Sequence, residues 1–179
     1  MTPLSTLVAG LQPQTVGVAP VEASGLASWA WLMFVVPALV GGFLLVVGKR
    51  ADKWGHWLAL ASTVFSLVLG AIITLQMLQL PSETRRVTQT LFTWMPVGRF
   101  QVDFGVLIDP LSMTFIMLVT FVGSLILLYS VGYMSKDPDR RRFFAYLALF
   151  IASMLILVMA DSYTMMFLGW EGVGLCSYL

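Results

Sequence analysis

The chain has 179 residues, of which 59% are apolar and 11% are charged. In a typical soluble domain, about 45–50% of the residues are apolar and about 25% are charged. This composition and the mean hydropathy of +0.89 exclude a water-soluble globule. The net charge of +1 excludes a basic nucleic-acid-binding surface and a disordered chain. The single cysteine excludes an internal disulfide and a thiolate metal cluster. The sequence therefore predicts an integral membrane protein whose partners include the lipid bilayer but no nucleic acid.

The first segment, residues 1–28, contains three prolines and a single charged residue, Glu22. It lacks the basic start of a signal peptide. We expect an irregular segment outside the membrane, followed by a transmembrane domain over residues 29–179.

Long apolar runs predict an all-α integral membrane fold with five transmembrane helices in this domain. Four runs are free of charge and hold 18 to 26 residues, close to the roughly 20 that a spanning helix needs. A fifth run contains one charge, Glu171. The helices are expected at about 29–48, 57–80, 110–135, 143–160 and 163–179.

The segment between the second and third helices has a different pattern. Val87–Trp94 and Phe100–Val106 alternate, or nearly alternate, and flank the turn-like sequence Met95–Gly98. Two β-prone runs around a Pro/Gly turn predict a short β-hairpin outside the membrane.

Positive charge in the loops predicts the orientation. Seven basic residues lie in the first and third connections, and such loops stay in the cytoplasm. They are Lys49, Arg50, Lys53, Lys136, Arg140, Arg141 and Arg142. The N-terminus is therefore expected outside a cell (inner) membrane that the chain crosses several times. We interpret the arginine cluster as a topology anchor.

Glu171 is the one charged residue inside a predicted span. If the fifth helix starts at Ser162, this carboxylate lies about 13 Å along it, near the middle of the hydrocarbon. Such a charge costs at least about 2.5 kcal/mol. Three interpretations compete: a neutral hydrogen-bonded core residue, a proton-relay group and a metal-ion ligand. We favour the proton relay, because ionisable groups inside the membrane are usually functional.

Three neighbours on the same face of the fifth helix support a proton path. Thr164 and Tyr178 can hydrogen-bond water or the carboxylate, and Gly174 leaves room beside it. Gly169, Gly172 and Gly174 each weaken a helix, so we expect either close helix approach or a hydrated cavity there.

Other polar residues receive structural interpretations. Asp109 and the pair Asp161–Ser162 are expected to cap the third and fifth helices. His56, between Trp54 and Trp57, is interpreted as an interfacial residue. We find no motif for a cofactor, a metal ion or a redox centre, and expect no small-molecule substrate other than protons.

Four segments carry a resemblance to a known family: Phe92–Gly98, Val106–Ser112, Arg142–Met154 and Gly169–Leu179. The last segment reads Gly-Trp-Glu-Gly-Val-Gly-Leu-Cys-Ser-Tyr-Leu. Over about 31–179 the chain resembles the subunit L family of proton-translocating NADH:quinone oxidoreductase, respiratory complex I. The resemblance implies the N-terminal portion of an antiporter-like helical bundle without a redox cofactor. NADH, FMN, iron–sulfur clusters and quinone would belong to other subunits.

The resemblance also implies roles and partners. The glutamate of this motif, here Glu171, would pair with a lysine on a later helix and relay protons, and the partners would be other membrane subunits of the complex. Members have more than twice as many helices, so we expect a chain that stops inside the fifth helix and is inactive alone. The alternatives are the large subunit of a multisubunit sodium/proton antiporter and a structural membrane subunit without transport.

Overall fold

The helices form a bundle with a small sheet at one end. The computed structural model describes residues 21–23, 25–81, 84–97 and 100–179, so most of the expected irregular segment 1–28 lies outside the described residues. The helices are α1 (Leu32–Val47), α2 (Gly55–Gln79), α3 (Pro110–Tyr133), α4 (Arg140–Met159) and α5 (Tyr163–Tyr178).

Four helical segments of the described chain are long and apolar enough to cross a membrane. They are Gly25–Ala51, Gly55–Gln79, Pro110–Tyr133 and Arg140–Met159. The first combines α1 with the 3-10 turns Gly25–Trp29 and Gly48–Ala51. The chain is thus a multi-pass membrane protein, and α5, with 16 residues, is shorter than these four segments.

Helix α4 lies at the centre of the bundle and packs against the other four helices. Its contact with α1 is close at Gly41, where an added Cβ would lie 2.9 Å from the carbonyl oxygen of Ala145. Small residues in α4 contribute to this fit, since Ala145 and Ala148 are fully buried. In a membrane, such close backbone approach replaces the hydrophobic effect as a source of helix association.

Helices α1 and α2 are also joined by a hydrogen bond. The hydroxyl of Ser66, which is fully buried, donates to the carbonyl oxygen of Met33 at 2.7 Å. Most other buried hydroxyls of α2 and α3 donate within their own helix, as Thr120 does to Ile116 at 2.6 Å. Ser66 therefore provides a specific polar contact between two helices.

The expected β-hairpin is present and longer than predicted. Strands β2 (Val87–Val97) and β3 (Phe100–Ile108) are antiparallel, and the two-residue strand β1 (Val21–Glu22) adds to β2 in parallel. The predicted turn at Met95–Gly98 is wrong in part, because Met95–Val97 continues β2. Two register shifts along the ladder accommodate the extra strand residues.

The hairpin rests on the connection between α4 and α5. Val106 forms an isolated antiparallel bridge with Ala160, and the backbone N–H of Asp161 donates to the carbonyl oxygen of Gly105 at 3.3 Å. The sheet and the start of α5 therefore lie at the same end of the bundle.

The two basic connections meet at the opposite end. Arg141 and Asp52, which belong to different connections, form an ion pair at 3.4 Å. This contact confirms that the basic loops share one side, although Arg140–Arg142 lies in the first turn of α4 and not in a loop. Arginine favours helix and can extend its charged end to the membrane surface, which explains the difference.

Candidate functional site

The candidate site is built on α5, whose start is fixed by a cap. The backbone N–H of Met165 donates to the Ser162 hydroxyl oxygen at 3.4 Å, and that hydroxyl donates to the Asp103 carbonyl oxygen of β3, also at 3.4 Å. The cap at Ser162 is confirmed, as is the one at Asp109, whose carboxylate accepts from the Ser112 N–H at 2.7 Å. These contacts place α5 relative to the hairpin.

The inner face of α5 packs tightly on α4. Met165 is fully buried, and an added Cβ on Gly169 would lie 2.6 Å from the backbone nitrogen of Leu157. One turn later, an added Cβ on Gly172 would lie 2.5 Å from the Ser153 hydroxyl oxygen. Close helix approach therefore accounts for two of the three glycines near Glu171.

Glu171 lies on the outward face of α5 and is exposed. Thr164 and Tyr178 are seven residues before and after it, so the three positions share one helix face. Thr164 is half-buried and Tyr178 is 86% exposed. Gly174 is open, with nothing within 4 Å of an added Cβ. These four expected site residues thus share one side of one helix, without a hydrogen bond of Glu171 to Thr164 or Tyr178.

Large apolar residues lie near Glu171 along α5. Phe167 and Trp170, on the adjoining part of the same face, are 62% and 68% exposed. Among the described residues, no basic side chain forms an ion pair with the Glu171 carboxylate. Within the described part of the chain, helices α1 to α4 thus leave this carboxylate without a partner.

The metal-ligand interpretation of Glu171 requires several further oxygen ligands. Across the described ranges, no group of three or more His, Cys, Asp or Glu side chains has the geometry to hold a metal ion.

The structure buries one further ionisable residue in the first turn of α2. His56 is 6% exposed within the bundle, and its place at the membrane interface stays a prediction. Its ring lies 5.8 Å from the Phe144 ring, and its Nδ1 is buried without a hydrogen-bond partner among the described residues. Arg140 lies over the same Phe144 ring. His56 lies three residues before Ala59, which is also buried on α2. This helical spacing in the sequence indicates that His56 faces the interior of the bundle.

Asp161 is a second polar residue whose role the cap interpretation missed. Gly105 of β3 lies directly against the Asp161 carboxylate, leaving no room for a side chain. Desolvation raises the pKa of Asp161, and hydrogen bonds from the Gly105 backbone and the Ser162 side chain oppose the rise. This residue therefore joins the hairpin to the start of α5.

Comparisons with known proteins identify relatives of the chain. A family model described as NADH-ubiquinone oxidoreductase (complex I), chain 5 N-terminus, matches residues 94–144, which run from the hairpin through α3 into α4. NADH-quinone oxidoreductase subunit L of Mycobacterium tuberculosis is 52% identical over 151 residues, covering 84% of this chain and 24% of the relative.

Relatives with lower identity come from other organisms. NADH-quinone oxidoreductase subunit L of Escherichia coli is 41% identical, covering 83% of this chain and 24% of the relative. NADH-ubiquinone oxidoreductase chain 5 of Dictyostelium citrinum is 36% identical, covering 83% of this chain and 22% of the relative. The chain spans about a quarter of the length of these relatives. With its hairpin, its membrane helices and these matches, it belongs to the family of complex I subunit L, also named chain 5, and corresponds to the N-terminal part of its members.

Proposed function

We propose that the chain is part of a membrane subunit that translocates protons for NADH:quinone oxidoreductase. The observation that carries the proposal is the exposed Glu171 carboxylate on α5, which has no partner among the described residues. A membrane protein keeps such a costly group when the group has a function. Family membership supports complex I as the setting.

The proposal treats α5 as a fifth span. Its 16 residues rise about 24 Å, somewhat less than the roughly 30 Å of the hydrocarbon core. Glu171 lies half-way along it, far from both ends. The basic connections that meet at Arg141 and Asp52 would face the cytoplasm, and the hairpin would face outside the inner membrane.

The mechanism is electrostatic and needs no redox centre in this chain. When a cation, such as the lysine that the family resemblance implies, lies near Glu171, it stabilises the carboxylate anion. When the cation moves away or is neutralised, the anion is disfavoured in the apolar surroundings and the carboxylate takes up a proton. Alternation between the two states moves a proton between the two sides, with Thr164 and Tyr178 able to hold water along the same face.

Electron transfer takes place in other subunits of the complex under this proposal. NADH and quinone turnover would supply the energy by moving the cation partner of Glu171, which is a coupling between distant sites. The other membrane subunits of the complex would therefore be required partners.

The proposal is tested with the intact complex in sealed proteoliposomes. NADH and quinone should together drive proton movement, and a sodium ionophore should leave it unchanged. If instead a sodium gradient alone drives proton movement through the isolated subunit, without NADH or quinone, the chain serves a sodium/proton antiporter.

A further inference from the structure

A crevice opens between the hairpin-side ends of α2 and α3. Its volume is about 380 Å³, and it is lined by the last turns of α2, the first turns of α3 and one arginine from the connection between them. The lining residues are Thr74, Met77, Leu78, Arg85, Pro110, Met113, Thr114 and Met117. No part of the proposed proton path uses this crevice.

The arginine in the crevice is held in place by backbone groups. The Nε of Arg85 donates to the Leu80 carbonyl oxygen at 2.9 Å, and its Nη2 donates to the Leu78 carbonyl oxygen at 3.1 Å. A guanidinium group has five N–H donors, so these bonds leave about three of them for another acceptor. Among the described residues, no carboxylate forms an ion pair with Arg85.

The walls below Arg85 are apolar. Met113 is 2% exposed and Met77 is 6% exposed, and both side chains line the crevice. The hydroxyls of Thr74 and Thr114 already donate to the carbonyl oxygens of Gly70 and Pro110, at 2.7 and 2.8 Å. Among the described lining residues, Arg85 is therefore the single cationic group, and it has no carboxylate partner among them.

The slot runs along the membrane-spanning part of the helices. Met117 lies seven residues into α3 from Pro110, which corresponds to about 10 Å along the helix axis. The N-terminus of α3 also contributes a partial positive charge near the mouth. Positive charge thus lies at the level of the helix ends and the apolar slot extends below it.

We propose that this crevice binds a phospholipid, with its phosphate on Arg85 and one acyl chain between α2 and α3. The fork of a guanidinium group matches phosphate oxygens, and flexible methionines pack well against an irregular chain. Inorganic phosphate would satisfy Arg85 but leave the methionines without contact. Another helix of the complex, from this subunit or from a partner, is the alternative occupant, and the test distinguishes it.

The experiment uses the intact complex in phosphatidylcholine vesicles that contain a minor fraction of phosphatidylglycerol with a photoreactive acyl chain. Light-induced labelling of the peptide that spans 110–117 is measured by mass spectrometry. A diacylglycerol with the same photoreactive chain is the probe without phosphate. The variants are Arg85→Gln and Met117→Trp, and Arg86→Gln is the control, because Arg86 is exposed and does not line the crevice.

We expect phosphatidylglycerol to label the crevice on the order of tenfold more than diacylglycerol, the ratio that one charge-assisted hydrogen bond provides. Arg85→Gln should remove this preference, and Met117→Trp should reduce labelling by both probes because it fills the slot. Arg86→Gln should label like the unchanged protein, and excess inorganic phosphate should have no effect.

Three results would overturn the proposal. Equal labelling of the Arg85→Gln variant and the unchanged protein would exclude the phosphate contact. Loss of labelling on addition of inorganic phosphate would identify a free-anion site. Absence of labelling in the unchanged protein, with another segment of the complex cross-linked to the same peptide, would show that a helix fills the crevice.

Discussion

Gly169 of α5 lies directly against the backbone of Leu157 in α4, where an added Cβ would come within 2.6 Å of the Leu157 nitrogen. A backbone atom cannot rotate away as a side chain can. Gly169 therefore fixes how closely α5 approaches α4. The same contact sets the orientation of α5, so that Glu171 lies on the face turned away from α4.

Gly169→Ala is expected to weaken the contact between α5 and α4. Overpacking of this kind costs about 1–3 kcal/mol, because one of the two helices must move. The measurement is the thermal unfolding temperature of the protein in detergent. Gly174→Ala is the matched control, since nothing lies within 4 Å of its added Cβ and alanine favours the helix by about 1 kcal/mol. Equal unfolding temperatures for the two variants would contradict the packing described above.

Ser66→Ala is expected to lower the stability of the contact between α1 and α2 by roughly 0.6 kcal/mol, the average of hydrogen bonds between membrane helices. The variant removes the 2.7 Å bond to the Met33 carbonyl oxygen. Ser62 is a control on the same helix, because it is also buried and its hydroxyl donates within α2, to Ala59. Chemical denaturation in mixed micelles compares the two. A Ser62→Ala variant that is as unstable as Ser66→Ala would show that the bond between the helices has no special role.

The contact between the hairpin and the start of α5 is expected to depend on pH through Asp161. Desolvation raises the pKa of its carboxyl, and the nearby Asp103 carboxylate adds to the rise. The folded state therefore binds the Asp161 proton more tightly than the unfolded state does. The contribution of this group to stability is highest below its ordinary pKa and falls as pH rises through the raised pKa of the folded state.

Hydrogen exchange of β3, corrected for the intrinsic effect of pH, measures this dependence. Protection around Gly105 should decrease as pH increases through the acidic range, and Asp161→Asn should remove the change. A decrease that persists in Asp161→Asn would assign the pH effect to another group.

Much of the fold could be predicted from the distribution of charge. The apolar runs indicate the helices because a membrane span must satisfy its own backbone hydrogen bonds, and the strand-forming run after Val87 indicates the hairpin. The end of β2 could not be predicted, because Pro96 is typical of turns and its place in the ladder depends on register shifts that single residues do not encode. The charges of Arg140–Arg142 similarly indicate a loop, whereas these residues form the first turn of α4.

The candidate site was predictable only in part. Glu171 stands out because it is the single charge in an apolar run, and local spacing places Thr164 and Tyr178 on its face. The sequence could not distinguish close packing from a cavity at the three glycines, because the answer depends on which side chains of α4 lie opposite them. Leu157 and Ser153 lie against Gly169 and Gly172, and nothing lies within 4 Å of an added Cβ on Gly174. The burial of His56 depends in the same way on Phe144 of a distant helix.

The central claim is that Glu171 relays protons, and its most direct test is the number of protons moved per NADH oxidised by the intact complex in proteoliposomes. Glu171→Gln keeps the shape of the side chain but cannot exchange a proton at its carboxyl. Glu22→Gln is the control, because Glu22 is an exposed glutamate in β1. We expect an assembled complex with a clearly reduced proton ratio for Glu171→Gln and an unchanged ratio for Glu22→Gln. A Glu171→Gln complex that moves as many protons per NADH as the unchanged protein would contradict the proposal.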